Sequence, residues 1–238
     1  MKQQACQAVG FTSSVVELGA ETSQDALSRK INQHTTDASV DEHINPQMAI
    51  GAIGAAKDVD GLHPTNVGAS VLGFKGGFLP CTPAGVLQAL QRSRISLEGQ
   101  HVVVVGRSKL VGLPLANMLI GGRDSAKGGR KGPTVTVVHS GTVDIHVHTR
   151  MADIVIVAAG HAGLITADSV KQGVVLVDVG INHVPDSSRK SGYRLVGDCT
   201  DEAYRKASRY TPVPGGIGPM TVAMLMRNTW EAAKRHDM

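Results

Sequence analysis

The run VVVVGRSKLVGLP at 102–114 passes from a β-branched strand into a tight turn and then a helix, the arrangement that cradles phosphate groups. Gly106 frees the turn, and Ser108 with the exposed backbone amides can donate to phosphate oxygens while the following helix points its N-terminus at them. The spacing is not G-x-G-x-x-G, because Ser108 replaces the middle glycine and Gly112 and Pro114 lie further on. An ordinary βα turn with a surface arginine stays open as the plainer alternative. The next strand discriminates. TVTVVHS at 134–140 ends in His139 and Ser140, without the carboxylate that usually holds the ribose hydroxyls of NAD. Arg107 in the turn and Ser140 can hydrogen-bond an added 2′-phosphate, so the sequence favours NADP as the cofactor. AAG at 158–160 and DVGIN at 178–182 end two further strands, which makes Gly160 another cofactor candidate.

A second group of residues carries a different chemistry. YTPVPGGIGPMT at 210–221 has three prolines to stiffen it and three glycines, Gly215, Gly216 and Gly218, that permit unusual dihedrals and close approach to a ligand. KDVDGLHPTNVG at 57–68 places Asp58 and Asp60 two apart in a loop, with Asn66 close behind. Local Asx turns are the alternative reading of that loop.

These residues need elements to hold them. Runs at 101–106, 134–140, 153–160 and 174–180 are β-branched and nearly unbroken, as strands buried on both faces should be. Helical or loop segments separate them, the βαβ rhythm of a parallel sheet, and RLVGD at 194–198 adds a further candidate strand. SVVEL at 14–18 reads as a short strand, and 23–34 has helical spacing. Helices are expected from Pro46, from Thr82-Pro83 and over the final segment, with a turn-rich stretch from Asp58 to Pro80.

Composition agrees with a globular chain. Hydrophobic residues at 42% and charged residues at 18% exclude a disordered chain, and glycine is abundant, 28 of 238 residues. No run of apolar residues is long enough to span a membrane. Three scattered cysteines, Cys6, Cys81 and Cys199, make neither a disulfide framework nor a metal site and fit a reducing compartment, the cytoplasm first. The net charge of +4 is concentrated in part in GGRDSAKGGRKGP at 121–133, and three Phe, three Tyr and one Trp are too few for base stacking. Nucleic acid is therefore not an expected partner.

KDVDGLHPTNVG, PCTPAGVLQAL, VVVVGRSKLVGLPLANML, ADIVIVAAG, VLVDVGIN and YTPVPGGIGPMTVAMLM, in that order along the chain, closely resemble the bifunctional methylenetetrahydrofolate dehydrogenase/methenyltetrahydrofolate cyclohydrolase family. The resemblance implies NADP-dependent oxidation of 5,10-methylenetetrahydrofolate, followed by hydrolysis of the methenyl ring to 10-formyltetrahydrofolate, in a homodimer of one-carbon metabolism. It places Lys2 on the lysine that does acid–base work and Asp60 on the aspartate that bonds the pterin. Pro214, Gly215 and Gly218 fall on the folate-contacting loop. Gly106, Arg107, Ser108, Ser140 and Gly160 fall on the NADP contacts, with Ile181 and Thr221 near the nicotinamide. The sequence departs from the family pattern twice. Met1 stands inside the lysine helix, so the motif's tyrosine is absent from it, and ASVD at 38–41 runs into EHINPQ where the family has a strand ending VQLPLP and its glutamine.

The expected fold is α/β in two domains, with an active site in the cleft between them. A folate-binding domain would take 1–92 and the terminal helix 220–238, and a Rossmann-type parallel sheet would take 93–219. Two other readings stand beside the enzyme: an impaired relative that binds nucleotide without turnover, and a different NADP oxidoreductase sharing only the Rossmann half. The latter has no use for both KDVDG and PVPGGIGPMT.

Overall fold

The computed structural model describes residues 2–8, 10, 15–19, 21–27, 30, 46–121 and 132–236. The basic residues Arg123, Lys127, Arg130 and Lys131, the segment 31–45 and the side chain of Lys2 lie outside the described residues. The chain divides into two compact units, Met1–Cys81 with Val222–Met238, and Thr82–Thr221.

The first unit contains helices α1 (Lys2–Ala8), α2 (Pro46–Ala52) and α3 (Pro64–Leu72). Residues 24–27 are also helical, and Leu27 is fully buried beside Ala49 of α2, with Leu18, Ala52 and Ile53 packed around them. Two expectations fail here. Val15–Gly19 form no strand. The stretch from Asp58 to Pro80 is not turns throughout, because α3 lies within it. Local signals explain that helix: Pro64 occupies the first turn, the His63 ring accepts from the Thr65 amide at 3.1 Å, and Gly73 closes the end at φ 72°.

The second unit opens with α4 (Cys81–Arg92), which is followed by β1 (His101–Val105), α5 (Gly112–Gly121), β2 (Thr134–Val138), α6 (Ile145–Met151), β3 (Ile154–Val157) and β4 (Val175–Asp178). A hairpin of β5 (Asn182–Pro185) and β6 (Tyr193–Val196) comes next, then α7 (Asp201–Lys206), the two-residue β7 (Arg209–Tyr210) and α8 (Ile217–His236), whose residues from Val222 onward belong to the first unit. The sheet is parallel throughout, in the order β2-β1-β3-β4-β7. Successive strands are added on one side of β1 (β2) and then on the other (β3), and the carboxyl ends of β1 and β3 at this switch are where open α/β sheets take ligands.

Side-chain alternation divides the core. Val103, Val105, Val155, Val157 and Leu176 face one side with Ile165, Val170 and Ala203. Val102, Val104, Ile154, Ile156 and Val177 face the other, under Val86 and Leu90 of α4, Leu115 and Leu119 of α5, and Ile217. Each such side chain, fully buried, contributes about 1.5–3 kcal/mol relative to exposure. The expected boundary at residue 92 and the observed division differ over 82–92 for this reason: Val86 and Leu90 bury against the sheet.

The four expected strands form, with two corrections. β2 is an edge strand and only its last residue is buried, so its apolar run does not signal two covered faces. RLVGD enters the antiparallel β5–β6 hairpin instead of the main sheet, whose fifth strand is Arg209–Tyr210. Among the described residues no helix is long and apolar enough to cross a membrane.

Candidate cofactor and folate site

The turn after β1 is built around missing side chains. Gly106 sits at φ +114°, and a Cβ on it would lie 2.3 Å from the Ala158 carbonyl oxygen at the end of β3. A Cβ on Gly112, the first residue of α5, would lie 2.1 Å from the Gly106 oxygen. The two glycines therefore let the turn, the helix N-terminus and the neighbouring strand end close together at the switch between β1 and β3. The Gly106 amide donates to Val138 (2.8 Å) and the Ser108 hydroxyl accepts from the Val111 amide (3.1 Å), which starts the helix. Arg107, Ser108 and Lys109 are exposed around this cradle. Ser140 is exposed beyond β2, where the His139 ring accepts from the Gly141 amide at 3.0 Å. Such a glycine cradle with an exposed arginine and serine beside it fits a dinucleotide's phosphates.

Gly160 lies after β3 at φ +67° with open space on its Cβ side, and Ile181 after β4 is 56% exposed. Their loops are organised by two acids that the sequence reading did not single out. Asp198 is fully buried, and its carboxylate accepts the consecutive amides of Ala159 (2.8 Å), Gly160 (2.9 Å) and His161 (2.8 Å) and the Asn182 side-chain amide (2.8 Å). Asp178, the last residue of β4, is also fully buried. It accepts the amides of Gly180 (3.0 Å), Asp198 (3.0 Å) and Cys199 (2.7 Å) and the Tyr204 hydroxyl (2.7 Å). Burial, and after it the Asp178 carboxylate, pushes both the Cys199 thiol and the Tyr204 phenol well above their ordinary ranges. DVG and VGD place a glycine within two residues of each acid at a strand end, a faint local trace that does not reveal their distant partners. A Cβ on Gly180 would lie 2.2 Å from Asp198, and one on Gly197 2.2 Å from Asp178.

YTPVPGGIGPMT is fixed at both ends. Thr211 donates its amide to Leu176 (3.1 Å) and its hydroxyl to the Asp178 carbonyl (3.1 Å), while the Thr221 hydroxyl donates to that of Thr82 in α4 at 3.1 Å. Between them the Val213–Pro214 peptide is cis, Pro214 and Gly215 are exposed, and Gly215 has φ +103°. A Cβ on Gly216 would meet the Pro212 oxygen at 2.5 Å, whereas one on Gly218 would meet nothing within 4 Å. Gly216 is thus required by the loop and Gly218 is not.

In the first unit the KDVDG loop is equally determined. The buried Asp58 carboxylate accepts the His63 amide (2.7 Å) and the Asn66 side-chain amide (2.8 Å), and Asn66 accepts from Phe78 (3.3 Å). Asn228 of α8, another residue that sequence reasoning missed, donates to the carbonyls of Val59 (2.8 Å) and Leu79 (3.0 Å). A Cβ on Gly61 would lie 2.5 Å from Leu79. Half-buried Asp60 sits in this locked loop, its carbonyl taken by the Cys81 amide at 3.3 Å. Lys2 opens α1 of the same unit.

Residues 80–237 match the family model "Tetrahydrofolate dehydrogenase/cyclohydrolase, NAD(P)-binding domain". The chain belongs to the tetrahydrofolate dehydrogenase/cyclohydrolase family. A relative described as bifunctional protein FolD from Prosthecochloris aestuarii is 46% identical over 249 residues, covering 100% of this chain and 83% of its own. The solved bifunctional methylenetetrahydrofolate dehydrogenase/cyclohydrolase of Campylobacter jejuni superposes with a TM-score of 0.87 at 42% identity, covering 99% of this chain and 82% of that one. The Trypanosoma brucei enzyme, solved with NADP and an inhibitor, gives 0.89 at 39% identity, over 99% of this chain and 80% of that one. Shikimate 5-dehydrogenase from Thermus thermophilus, at 17% identity and a TM-score of 0.53, shares the fold alone. The similarity to family members extends through both units, which removes the reading of an unrelated oxidoreductase that shares only the Rossmann half.

Proposed function

We propose that the chain oxidises 5,10-methylenetetrahydrofolate with NADP and hydrolyses the resulting methenyltetrahydrofolate to 10-formyltetrahydrofolate. The observation that carries this is 46% identity to a bifunctional relative over the whole chain. NADP, when bound, supplies the hydride acceptor. The glycine turn at 106–112 would hold its phosphates, with Arg107, Ser108 and Ser140 taking the 2′-phosphate by charge-assisted hydrogen bonds. Gly160, Ile181 and Thr221 would line the nicotinamide end. Pro214, Gly215 and Gly218 would contact the folate, and Asp60 would hydrogen-bond the pterin. Lys2 would serve as the acid–base group, stabilising the reacting centre as an ammonium and activating water when neutral. A homodimer in the cytoplasm is the setting this reading implies, and the lack of a disulfide among the described cysteines suits it.

The test mixes purified protein with methylenetetrahydrofolate and NADP and follows methenyltetrahydrofolate absorbance and its decay. Substrate-dependent NADPH formation, weakened at limiting NADP in Arg107→Glu, is expected, with decay of the methenyl signal slowed in Lys2→Met. NADP binding without turnover would replace this reading with that of a nucleotide-binding relative.

A further inference from the structure

Three consecutive amides converging on one point form an anion-binding concavity of the kind that holds phosphate in many nucleotide sites. In this chain the concavity after β3 is already filled from within. Ala159, Gly160 and His161 all donate to the Asp198 carboxylate, which reaches them across 37 to 39 residues of sequence. Asn182 supplies a fourth donor from the start of β5. Asp178 holds the main chain of Asp198 from below, through the Asp198 amide at 3.0 Å and the Cys199 amide at 2.7 Å. Two carboxylates at 0% exposure would be very costly without partners. Each has four, and two glycines, Gly180 and Gly197, are spared side chains to make room for them.

We propose that Asp198, held by Asp178, is a positioning residue of the cofactor site: an internal anion that occupies the amide cradle at Ala159–His161. This rests on the dehydrogenase reading above. Two consequences follow from the geometry. The cradle after β3 is closed to phosphate, leaving the pyrophosphate the glycine turn at 106–112, the cradle whose rim residues are exposed. The same carboxylate ties the loop of Gly160 to the loop of Ile181 through Asn182, so both keep one shape when the cofactor arrives.

The experiment measures KM for NADP, KM for methylenetetrahydrofolate, kcat and Tm for wild type, Asp198→Ala, Asp198→Asn and Tyr204→Phe, each with and without added formate. Asp198→Ala is expected to raise the NADP KM about tenfold or more, with a smaller loss in kcat and the folate KM changed by less than about threefold. Formate, a carboxylate small enough for the vacated cradle, should lower the NADP KM of Asp198→Ala and leave that of Asp198→Asn and wild type unchanged. A folded Asp198→Ala with an unaltered NADP KM, or one whose defect ignores formate, overturns the proposal. Should Asp198→Ala fail to fold, Tyr204→Phe decides. It removes one donor from Asp178 at constant shape and should raise the NADP KM by about two- to fivefold, and an unchanged value overturns the proposal. A wild-type chain that forms no NADPH overturns the dehydrogenase reading itself, a result distinct from an active wild type with unaffected variants.

Discussion

The Asn66 side-chain amide donates to the Asp58 carboxylate at 2.8 Å, and both side chains are buried. Asn66 is on α3 and Asp58 in the loop before it, so this one bond couples the helix to the loop that carries Asp60. Asn66→Ala removes the donor and leaves a buried carboxylate with one partner fewer, a loss of about 1–3 kcal/mol. The expected result is a lower Tm together with a raised KM for methylenetetrahydrofolate and an unchanged KM for NADP. Thermal unfolding and steady-state kinetics check it, and equal changes in both KM values would argue against a local role.

Glycines separate into those the fold needs and those a ligand would need. Gly106→Ala places a Cβ 2.3 Å from the Ala158 oxygen at φ +114°, a backbone region that alone costs a non-glycine residue about 1–3 kcal/mol. It should unfold at distinctly lower temperature and bind NADP poorly. Gly218→Ala meets nothing within 4 Å. Its Tm should hold or rise slightly, because alanine is the better helix residue, while the folate KM increases. A Gly218→Ala enzyme with wild-type kinetics would remove Gly218 from the folate loop.

Much of this was legible in the sequence, and the failures have physical causes. Strands β1, β3 and β4 announce themselves because a parallel sheet buries both faces and selects unbroken Val and Ile runs. β7 has two residues and carries no periodic signal. RLVGD has the composition of a sheet strand, yet composition says nothing about whether its partner is β4 or β5. α3 was hidden by the turn formers that cap it, His63-Pro64 and Gly73. Of the site, the glycine turn and the proline-rich loop were visible as local strings. Asp178, Asp198 and Asn228 were not, because each acts through partners distant in sequence: the Asn228 bonds span 149 and 169 residues. Gly180, in the DVGIN turn at a strand end, serves these acids by leaving room for the Asp198 carboxylate.

Arg107 gives a prediction about cofactor choice. If its guanidinium meets the 2′-phosphate, Arg107→Glu replaces a charge-assisted hydrogen bond, about 1.5–3 kcal/mol, with repulsion. The KM for NADP should rise at least about tenfold while that for NAD changes little. Parallel kinetics with the two dinucleotides check this. An equal effect on both would assign Arg107 to the shared pyrophosphate.

Asp153 gives a prediction in acid. The Lys171 ammonium hydrogen-bonded to it, and next the His101 amide at 2.8 Å, hold its carboxyl below the usual carboxylate range. A depressed value in the folded state means the stabilisation is complete above the ordinary carboxylate value of 3.8 and is lost as pH falls through the lower folded value. The pair is partly exposed, so its worth at neutral pH is at most about 1 kcal/mol. Asp153→Asn should therefore unfold slightly earlier than wild type at pH 7, and the two Tm curves should converge below about pH 4. A constant gap across the whole range would show that the effect of Asp153 is packing and not charge.

Cys199 acts on the alkaline side. Its thiol is raised first by burial and then by the Asp178 carboxylate beside it, and since the thiolate is the reactive form, it should be inert in the folded chain. Cys6, half-buried on α1, has a more open path to reagent. Labelling native protein near pH 8 with a thiol reagent, then locating the label by peptide mass spectrometry, should find Cys6 modified and Cys199 unmodified, with all three cysteines labelled in denaturant. The raised value also fixes a sign. The folded state keeps its proton where an unfolded thiol has lost it, so Cys199 favours the fold below its unfolded value and that advantage drains away as pH climbs above it. Cys199→Ser, still neutral across that range, should unfold with a weaker alkaline fall in Tm than wild type, and an identical fall would show that Cys199 does not couple to folding.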